Sequence, residues 1–560
     1  MILDANDLAE GIRLEGDLCI IGAGAAGIAL ALEFAESQHS VVLLAGGSWK
    51  ETSLETDLYR GGVMPAGSHE PLEENRRRML GGTTSVWGGR CIPLDPIDYE
   101  VRSWMENSGW PIRYEEIEPF YQRACSIAEA GEAEFDARRC FPGKQTEILD
   151  GFDDDHIVTW PLERWSPPTD FARSYRQRLE KNKNIRVILN GHAVNIHLQE
   201  SGKVVSEILA KNQGGTRFRV HCGNYVLAAG GLENPRLLLA SRDVCANGVG
   251  NQNDQVGRYY QSHLFGVHGY AELKRSLPGF VYDFERDKDG VYCRRRFWVT
   301  PTAQKSGQIG NVIGFFFRPD IGHAIHRNAL FSATYLAKAV KSALANGGLG
   351  RLAERVSDDR DVLMEHAKAV VSGAPSLLPQ LAQLLFRRTL ARRRLPIILP
   401  PASSSQLFMC FQGEHAPNAS SRVVLSPASE DALGMPRMEA RIKFSPIDHE
   451  TVLGFYRLLA KRFQRSPWGL FHYDEAKLAA QLASAELTFN SNAHHIGTTR
   501  MGANPATSVV DRNAKVHEID NLYVAGSSIF PTSGHANPTL PLLALTMRLA
   551  DHLKSTNRSS

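Results

Sequence analysis

A glycine-rich turn between a strand and a helix, close to the N-terminus, constrains the fold of this chain most. The mostly apolar residues 17–21 lead into Gly22-Ala-Gly-Ala-Ala-Gly27, the small and apolar run 28–35 follows, and residues 41–44 are again apolar. Gly22 allows a tight turn, Gly24 lets the backbone approach a pyrophosphate, and Gly27 lets helix and strand pack closely. The helix N-terminus offers N–H groups and a favourable dipole to phosphate. The pattern predicts a β-α-β unit that binds a dinucleotide through Gly22, Gly24, Ala25, Ala26 and Gly27.

The acidic residue that usually binds the adenosine ribose is missing from its expected place. It should stand at the end of the second strand, about 20 residues after the glycines, where this chain has Leu43-Leu-Ala-Gly-Gly47. Glu51 is the next acid downstream, and it would need a rearranged loop to reach the ribose. Alternatively, backbone groups and Ser48 bind the ribose, which predicts a weaker affinity for the nucleotide.

Two more strand–glycine–helix units lie far along the chain. Residues 225–231 end in glycines before the helix-like run 235–240, and residues 521–526 precede a second such run at 541–550. Because 560 residues are too many for one hydrophobic core, the three units predict an α/β fold with two domains. One is a discontinuous Rossmann-like nucleotide-binding domain, and the other is an α+β substrate-binding domain of a sheet plus helices. The first comprises residues 1–100, 201–264 and 490–560. The second, together with connecting segments, comprises residues 101–200 and 265–489 with a helical insertion at about 324–394.

Four further segments indicate which nucleotide is bound. They are Met79-Leu-Gly-Gly-Thr-Thr-Ser-Val-Trp-Gly-Gly-Arg90, Leu227-Ala-Ala-Gly-Gly-Leu-Glu-Asn-Pro-Arg236, Asn492-Ala-His-His-Ile-Gly-Thr-Thr-Arg-Met-Gly502, and Asn521-Leu-Tyr-Val-Ala-Gly-Ser-Ser-Ile-Phe-Pro-Thr532 with its continuation 534–540. In their order and spacing the chain resembles the glucose–methanol–choline oxidoreductases, most closely the branch of the pyranose oxidases and their bacterial relatives. The resemblance covers both ends of the chain and little of residues 265–400. It implies an FAD-dependent oxidoreductase.

The resemblance also implies which residues contact FAD. A Gly-Gly-Thr-Thr-Ser run lets the backbone pass close to a flat isoalloxazine ring, with hydroxyl and N–H groups aimed at its heteroatoms. Some members of the family attach FAD through a histidine in this segment, and the matching position here is Val86. Valine cannot form that bond, so we predict non-covalent FAD. Besides the first turn, the implied cofactor-binding residues are Gly81, Gly82, Thr83, Thr84, Ser85, Val86, Trp87, Gly88, Ala229, Gly230, Gly526, Ser527, Asn537, Pro538 and Thr539.

Oxidation of an alcohol by a flavin needs a base that takes the hydroxyl proton as hydride leaves. Histidine is suited to this role because its unperturbed pKa, ~6.5, lies close to working pH. The resemblance places the base at His494, with His495 as the competitor. If the segment is extended, the two rings point to opposite faces. The second catalytic position falls on Asn537, which would donate a hydrogen bond to the substrate oxygen, and His535 is the alternative.

We therefore expect hydride transfer from a CH–OH group of a sugar, a glycoside or a similar polyhydroxylated molecule. Gln412 and Glu414, and with them His495, are candidate contacts to substrate hydroxyls, although a place on a sheet surface also fits the first two. One alternative is a flavoprotein acting on a non-sugar specialised metabolite by alcohol oxidation, desaturation or decarboxylation. Another is a catalytically silent flavin-fold binding protein. The acceptor that reoxidises the flavin, oxygen or another compound, and the formation of a homo-oligomer stay open.

Composition argues against several other classes of protein. The net charge of +2 is too small to indicate a nucleic-acid partner, and none of the eight cysteines forms a C-x-x-C pair, so we expect no metal. The N-terminal residues lack the apolar core of a secretory signal, and no run approaches the ~20 apolar residues of a membrane span. We expect a cytoplasmic protein.

A basic cluster at residues 387–394 is interpreted as a solvated helix end, with docking to a membrane surface or an acidic carrier as alternatives.

Overall fold

The computed structural model describes residues 1–274, 277, 279–317, 322, 328–345, 360–399, 406–464, 467–484 and 493–556. The strands are β1 (Ile2–Asp4), β2 (Arg13–Ile21), β3 (Val41–Leu44), β4 (Gly61–Met64), β5 (Arg90–Cys91), β6 (Ile157–Val158), β7 (Leu162–Trp165), β8 (Ile185–Leu189), β9 (His192–Leu198), β10 (Val205–Lys211), β11 (Arg217–Leu227), β12 (His263–Leu273), β13 (Glu285–Arg286), β14 (Tyr292–Arg295), β15 (Phe297–Val299), β16 (Val312–Phe317), β17 (Gln406–Glu414), β18 (Arg422–Glu430), β19 (Pro436–Arg441), β20 (Gly469–His472) and β21 (Leu522–Val524).

The α-helices are α1 (Ala25–Glu33), α2 (Ser53–Asp57), α3 (Pro96–Tyr99), α4 (Tyr121–Ile127), α5 (Ala137–Cys140), α6 (Phe171–Ser174), α7 (Arg176–Lys181), α8 (Gly230–Ala240), α9 (Pro301–Gly307), α10 (Ala329–Ala345), α11 (Arg360–Ser372), α12 (Ala374–Gln383), α13 (Pro446–Gln464), α14 (Glu475–Ala483) and α15 (Thr539–Thr556). A π-helical turn, Leu384–Thr389, continues α12 directly.

An eight-stranded sheet carries the nucleotide-binding unit. β1, β8, β3, β2 and β11 lie parallel in that order, and β9 and β10 extend the sheet with antiparallel pairing. β11 has 11 residues, long enough to pair with β10 near its start and with β21, in parallel, at its end. The carboxyl ends of β2, β11 and β21 therefore meet at one edge of the sheet, where a doubly wound fold binds its ligand. The predicted α/β fold is confirmed.

The boundary that the sequence predicted at residue 200 is wrong for β8 and β9. Both strands belong to the eight-stranded sheet, although the sequence predicts that residues 101–200 belong to the second domain and its connecting segments. β8 pairs with β3, opposite Val41 and Leu44, and β9 pairs with β10. A short apolar run such as residues 185–189 suits a buried strand of any sheet, and its periodicity carries no information about which sheet it joins.

The second domain is built on a six-stranded antiparallel sheet in the order β20-β12-β17-β16-β15-β6. Helix α13 packs on this sheet, with Phe455 and Tyr456 in a buried cluster that includes Phe411 of β17. Two smaller sheets complete the fold, β13-β14-β7-β5 and β18-β19-β4. β5 follows the Gly81–Gly89 segment directly and pairs with β7, so the predicted flavin-facing segment leads into the four-stranded sheet.

The predicted helical insertion contains α10, α11 and α12, and its residues 324–327 and 346–359 lie outside the described part of the chain. No single helix among the described residues is long and apolar enough to cross a membrane. By length and composition alone, α11 passes that test together with α12 and its π-helical turn, but the two arms meet at an angle of 83°.

A buried ion pair joins the second sheet to the segment after α3. The Nη1 and Nη2 atoms of Arg102 donate to the carboxylate of Glu414 at 2.6 and 2.7 Å, and both side chains are fully buried. The backbone N–H of Asn311 donates to the same carboxylate at 3.0 Å. The prediction that Glu414 contacts substrate hydroxyls is therefore wrong, because its oxygens are already used and it does not line the cavity described below.

We predict that Glu414→Gln lowers the free energy of unfolding by about 3–5 kcal/mol, because it leaves the charge of Arg102 buried without a partner. Urea unfolding measures the change. The matched control is Glu439→Gln, which removes a carboxylate paired with the largely exposed Arg441 and should cost less than about 0.5 kcal/mol. If Glu414→Gln instead keeps the stability of the wild type and raises KM, the result would support a contact between Glu414 and the substrate.

Candidate active site

A cavity of about 570 Å³ opens at the edge where β2, β11 and β21 end. Its wall combines the first glycine turn, the segment after Met79, the start of α8, His494 and His495, and the start of α15. Of the predicted cofactor-binding residues, those in the wall are Gly22, Gly24, Ala25, Ala26, Gly82, Thr83, Thr84, Val86, Trp87, Gly88, Ala229, Gly230, Gly526, Ser527, Asn537, Pro538 and Thr539. Gly27, Gly81 and Ser85 do not line the cavity.

The first glycine turn has the geometry that a pyrophosphate site requires. Gly22 has a φ of +108°, and a Cβ on it would lie 2.5 Å from the carbonyl oxygen of Ala228. A Cβ on Gly27 would lie 1.8 Å from the carbonyl oxygen of Gly22, so Gly27 serves the packing of helix on strand. A Cβ on Gly24 would meet no atom within 4 Å, and no side chain caps α1 there. The N–H groups at the start of α1 are therefore open to an anion.

FAD fits the rest of this wall as well. Added Cβ atoms at Gly88, Gly230 and Gly526 would meet nothing within 4 Å, so bare backbone faces the cavity at three further points. Val86, the position that matches the attachment histidine of some relatives, lines the cavity with its side chain about half exposed. These residues would hold the nucleotide and the flavin without a covalent bond.

Arg78 occupies the place of the missing ribose carboxylate. A Cβ on Gly46, just after β3, would lie 3.3 Å from Nη1 of Arg78. Glu51 accepts a hydrogen bond from the backbone N–H of Arg78, and neither Glu51 nor Ser48 lines the cavity.

Glu233 of α8 is a buried carboxylate in the wall of the cavity. It pairs with Arg76 at 3.1 Å and Arg78 at 2.5 Å. Although burial opposes ionisation, the neighbouring arginines lower the pKa of Glu233 to about 2, so it carries its charge at neutral pH.

His494 and Asn537 meet at the wall of the cavity. Nε2 of His494 lies 3.2 Å from Nδ2 of Asn537, and both side chains are partly exposed to the cavity. Burial, and secondarily the positive charge of Arg90, lower the pKa of His494 to about 3. The imidazole is therefore neutral at neutral pH and able to accept a proton.

Arg90 gives the hydrogen bonds around His494 a direction, because a guanidinium can only donate. Its Nη1 donates to Oε1 of Gln412 at 2.7 Å, so the amide nitrogen of Gln412 faces the other way and donates to Oδ1 of Asn537 at 3.1 Å. Nδ2 of Asn537 then points to Nε2 of His494. That nitrogen accepts, so the ring proton sits on Nδ1 of His494, which lies 2.8 Å from Nδ1 of His263. The chain of donors leaves the lone pair of His494 Nε2 facing Asn537.

Arg90 is itself held by a buried carboxylate. It forms an ion pair with Glu163 of β7, and Arg294 of β14 donates to the same carboxylate at 2.6 Å. Glu163 is fully buried, and although burial opposes ionisation, the neighbouring arginines keep its pKa below the ordinary value. Sequence reasoning missed Arg90, Glu163 and His263. Arg90 is the last residue of the Met79–Arg90 segment, one of the segments on which the family resemblance rests. Nothing in the local sequence distinguishes Glu163 or His263.

His495 faces away from the pair. Its Nδ1 lies 2.9 Å from the hydroxyl of Tyr260, whose oxygen is 2.8 Å from Nε2 of His69. His495 also lines the cavity, but it is His494 that meets Asn537. His535, the alternative to Asn537, is fully buried, bonds Asp95 at 2.7 Å and does not line the cavity.

Gln412 is close to the pair without lining the cavity. Its amide nitrogen donates to the carbonyl of His535 at 2.5 Å and to Asn537. The expectation that Gln412 contacts substrate hydroxyls is therefore replaced by a position behind Asn537, where it orients the amide.

One group of possible metal ligands lies outside the cavity, among the described residues. Cys140, Asp287 and Cys293 bring their ligand atoms within 4.8 Å of one another. The guanidinium of Arg164 already pairs with Asp287 and lies 3.7 Å from the sulfur of Cys140. A fixed positive charge at these ligands disfavours a second cation there.

Comparison with known proteins agrees with this geometry. Residues 17–414 match the family model of FAD-dependent oxidoreductases, and residues 417–546 match that of the GMC oxidoreductase C-terminal domain. The chain is 22% identical to 2-methyl-1,2-propanediol dehydrogenase of Mycolicibacterium austroafricanum, over 96% of this chain and 95% of that protein. It is 23% identical to the fructose dehydrogenase large subunit of Gluconobacter japonicus, over 96% and 97%.

A solved structure shows the same fold. Pyridoxine 4-oxidase from Mesorbium loti superposes with a TM-score of 0.56 at 16% identity, over 96% of this chain and 99% of that one. The two family matches together span nearly the whole chain, from the glycine turn to α15. The chain therefore belongs to the glucose–methanol–choline family of FAD-dependent oxidoreductases.

Proposed function

We propose that this protein oxidises a CH–OH group of a sugar, a glycoside or a similar polyhydroxylated small molecule to a carbonyl, with His494 as the base. The observation that carries the proposal is the 3.2 Å approach of Asn537 Nδ2 to the unprotonated Nε2 of His494 at the cavity wall. One acceptor and one donor side by side are complementary to a single hydroxyl group, which donates its proton and accepts at its oxygen. The relatives named for a diol and for fructose support a substrate with several hydroxyls.

Each group in this mechanism has one role. The flavin of bound FAD supplies the atom that accepts hydride. The substrate hydroxyl inserts between His494 and Asn537, and Nε2 of His494 takes its proton as the C–H bond breaks. The amide of Asn537 donates to the oxygen and stabilises the negative charge that develops there. Gln412 and Arg90 hold that amide in its donating orientation.

The low pKa of His494 affects the transfer of the hydroxyl proton to this base. A base that is neutral at working pH is ready to accept the proton, and the protonated state that follows is disfavoured by burial and by Arg90. The proton therefore has to leave His494 before the next turnover. His263, whose pKa is also lowered by burial, is the group in contact with the far side of the ring.

We predict that His494→Ala abolishes bleaching of the flavin by substrate under anaerobic conditions while FAD stays bound. Loss of a general base costs about 10²- to 10⁴-fold in rate, and stopped-flow absorbance measures it. His495→Ala is the matched control, because that ring contacts Tyr260 and does not meet Asn537. Rapid bleaching of the His494 variant, with loss of bleaching in the His495 variant, would move the base to His495.

We predict that Arg90→Met shifts the acid limb of the pH profile of kcat/KM to higher pH. The base works in its neutral form, so activity falls as the pH drops through the pKa of His494. Arg90 lowers that pKa, and removing its charge raises it.

The matched control for this shift is Gln412→Met. It breaks the hydrogen-bond chain but keeps the charge of Arg90, so the rate should fall by up to about 100-fold from misplacement of Asn537 with the acid limb in its original place. Equal shifts in both variants would show that the charge of Arg90 is not the cause.

We predict that acid precipitation of the purified, yellow holoenzyme releases all of its FAD into the supernatant, because Val86 has no atom that can bond the flavin. The flavin absorbance of the supernatant and of the redissolved pellet measures how much FAD is released. Flavin retained in the pellet would contradict non-covalent binding, and a colourless protein that cannot be reconstituted would favour a silent binding protein.

A further inference from the structure

Helix α12 and its π-helical continuation bury none of their side chains. Residues 374–389 nevertheless include six large apolar residues, and Leu390 follows directly. Leu378 is 76% exposed, Phe386 66% and Leu390 65%. Exposed apolar side chains of this size, grouped on one element, mark an interaction surface rather than a solvated helix end.

The sequence of α12 is amphipathic. With 3.6 residues per turn, Leu377, Leu378 and Leu381 fall within an arc of about 100°, and Leu384 and Leu385 follow in the π-helical turn. Ser376, Gln380 and Gln383 lie on another arc of α12. Leu378, Leu381 and Leu385 are exposed. We call α12, its π-helical turn and residues 390–394 the basic apolar patch.

The charge of this region has one sign. No Asp or Glu occurs between Glu365 and Glu414, whereas residues 387–394 contain five arginines. The fold uses three of them: Arg388 donates to the carbonyl of Leu395, Arg393 donates to that of Trp165, and the guanidinium of Arg387 lies 5.9 Å from the ring centre of Tyr292. The side chain of Arg392 is 94% exposed and lies 3.9 Å from the carboxylate of Glu129, and Arg394 is exposed as well.

We propose that the basic apolar patch docks this enzyme on the surface of an anionic lipid bilayer, without spanning it. A helix with leucines and a phenylalanine on one side and arginines beside it has the composition of an interfacial helix. Anionic headgroups complement the five arginines of residues 387–394, of which Arg392 has a single surface carboxylate, Glu129, at 3.9 Å, and this excess of positive charge favours lipid over an unspecified protein.

The dimensions of the two arms fit docking on a bilayer and not crossing it. α11 has 13 residues, which at 1.5 Å each gives a length of about 20 Å. The arm formed by α12 and the π-helical turn is of similar length, and the two meet at 83°. Each arm is shorter than the ~30 Å hydrocarbon core.

The experiment measures co-sedimentation of the holoenzyme with vesicles of phosphatidylcholine and with vesicles of an equimolar mixture of phosphatidylcholine and phosphatidylglycerol. We expect binding to the mixed vesicles, weaker binding to phosphatidylcholine, and loss of binding as salt is raised. Arg392→Gln with Arg394→Gln should weaken binding by about five-fold for each arginine. The matched control replaces two exposed arginines elsewhere, Arg113→Gln with Arg173→Gln, and should bind as the wild type does.

A second variant tests the apolar side of the patch. Leu378→Ser with Leu381→Ser and Leu385→Ser should weaken binding at least about ten-fold. Because these side chains are not buried, the flavin spectrum and the thermal midpoint should stay as in the wild type. Neither readout depends on turnover, so the result is independent of the proposed reaction.

Each of three outcomes would contradict docking on a bilayer. Absence of wild-type binding to the mixed vesicles at low salt overturns the proposal, and so does unchanged binding of both variants. If the leucine variant instead changes the oligomeric state seen by light scattering and leaves vesicle binding intact, the patch is a protein interface and the proposal is wrong.

Discussion

The buried charge of Glu163 is the interaction on which the arrangement of the active site depends. A carboxylate without solvent is stable in its charged form only when cations and donors surround it, and Arg90 and Arg294 fulfil that need. Arg90 is thereby fixed, with Nη2 on Glu163 and Nη1 on Gln412. The hydrogen bonds that lead from Arg90 to His494 begin at a group that can only donate, so the ion pair between β5 and β7 sets the tautomer of the base. Weakening the pair at Glu163 would therefore act on the position of Asn537 as well as on stability.

The sequence identified those parts of the site that local chemistry specifies. The glycine turn could be predicted because only glycine tolerates the φ of Gly22 or the close approach at Gly27. The preference for His494 over His495 came from the family resemblance. The two rings have different partners, Asn537 and Tyr260, although both line the cavity. The alternation of side chains along a strand puts Gln412 and Glu414 on one face of β17, yet one reaches Asn537 and the other Arg102. Which partner lies opposite each side chain depends on packing between segments 125 and 312 residues apart, and no local pattern contains that information.

The nucleotide-binding end of the cavity takes its charged groups from segments other than β3. The end of β3 offers no carboxylate, and Arg78 fills the space beside Gly46. Glu233, from the second strand–helix unit, is a buried carboxylate of this wall, but Arg76, Arg78 and Arg236 pair with it, so it does not restore the missing negative charge. A residue count from the glycine turn could not predict these pairs, because Arg76 and Arg78 lie 157 and 155 residues away from Glu233 in the sequence.

The basic apolar patch and the active site share one aromatic cluster. Leu395 and Leu399, just beyond the patch, pack with Trp165, Phe284 and Tyr292. The guanidinium of Arg294 lies 5.2 Å from the ring centres of Trp165 and Phe284 while it binds Glu163. The contacts between the patch and Glu163 are therefore made by packed side chains. Arg294 belongs to both sets of contacts, because it lies over these rings and binds the carboxylate that holds Arg90.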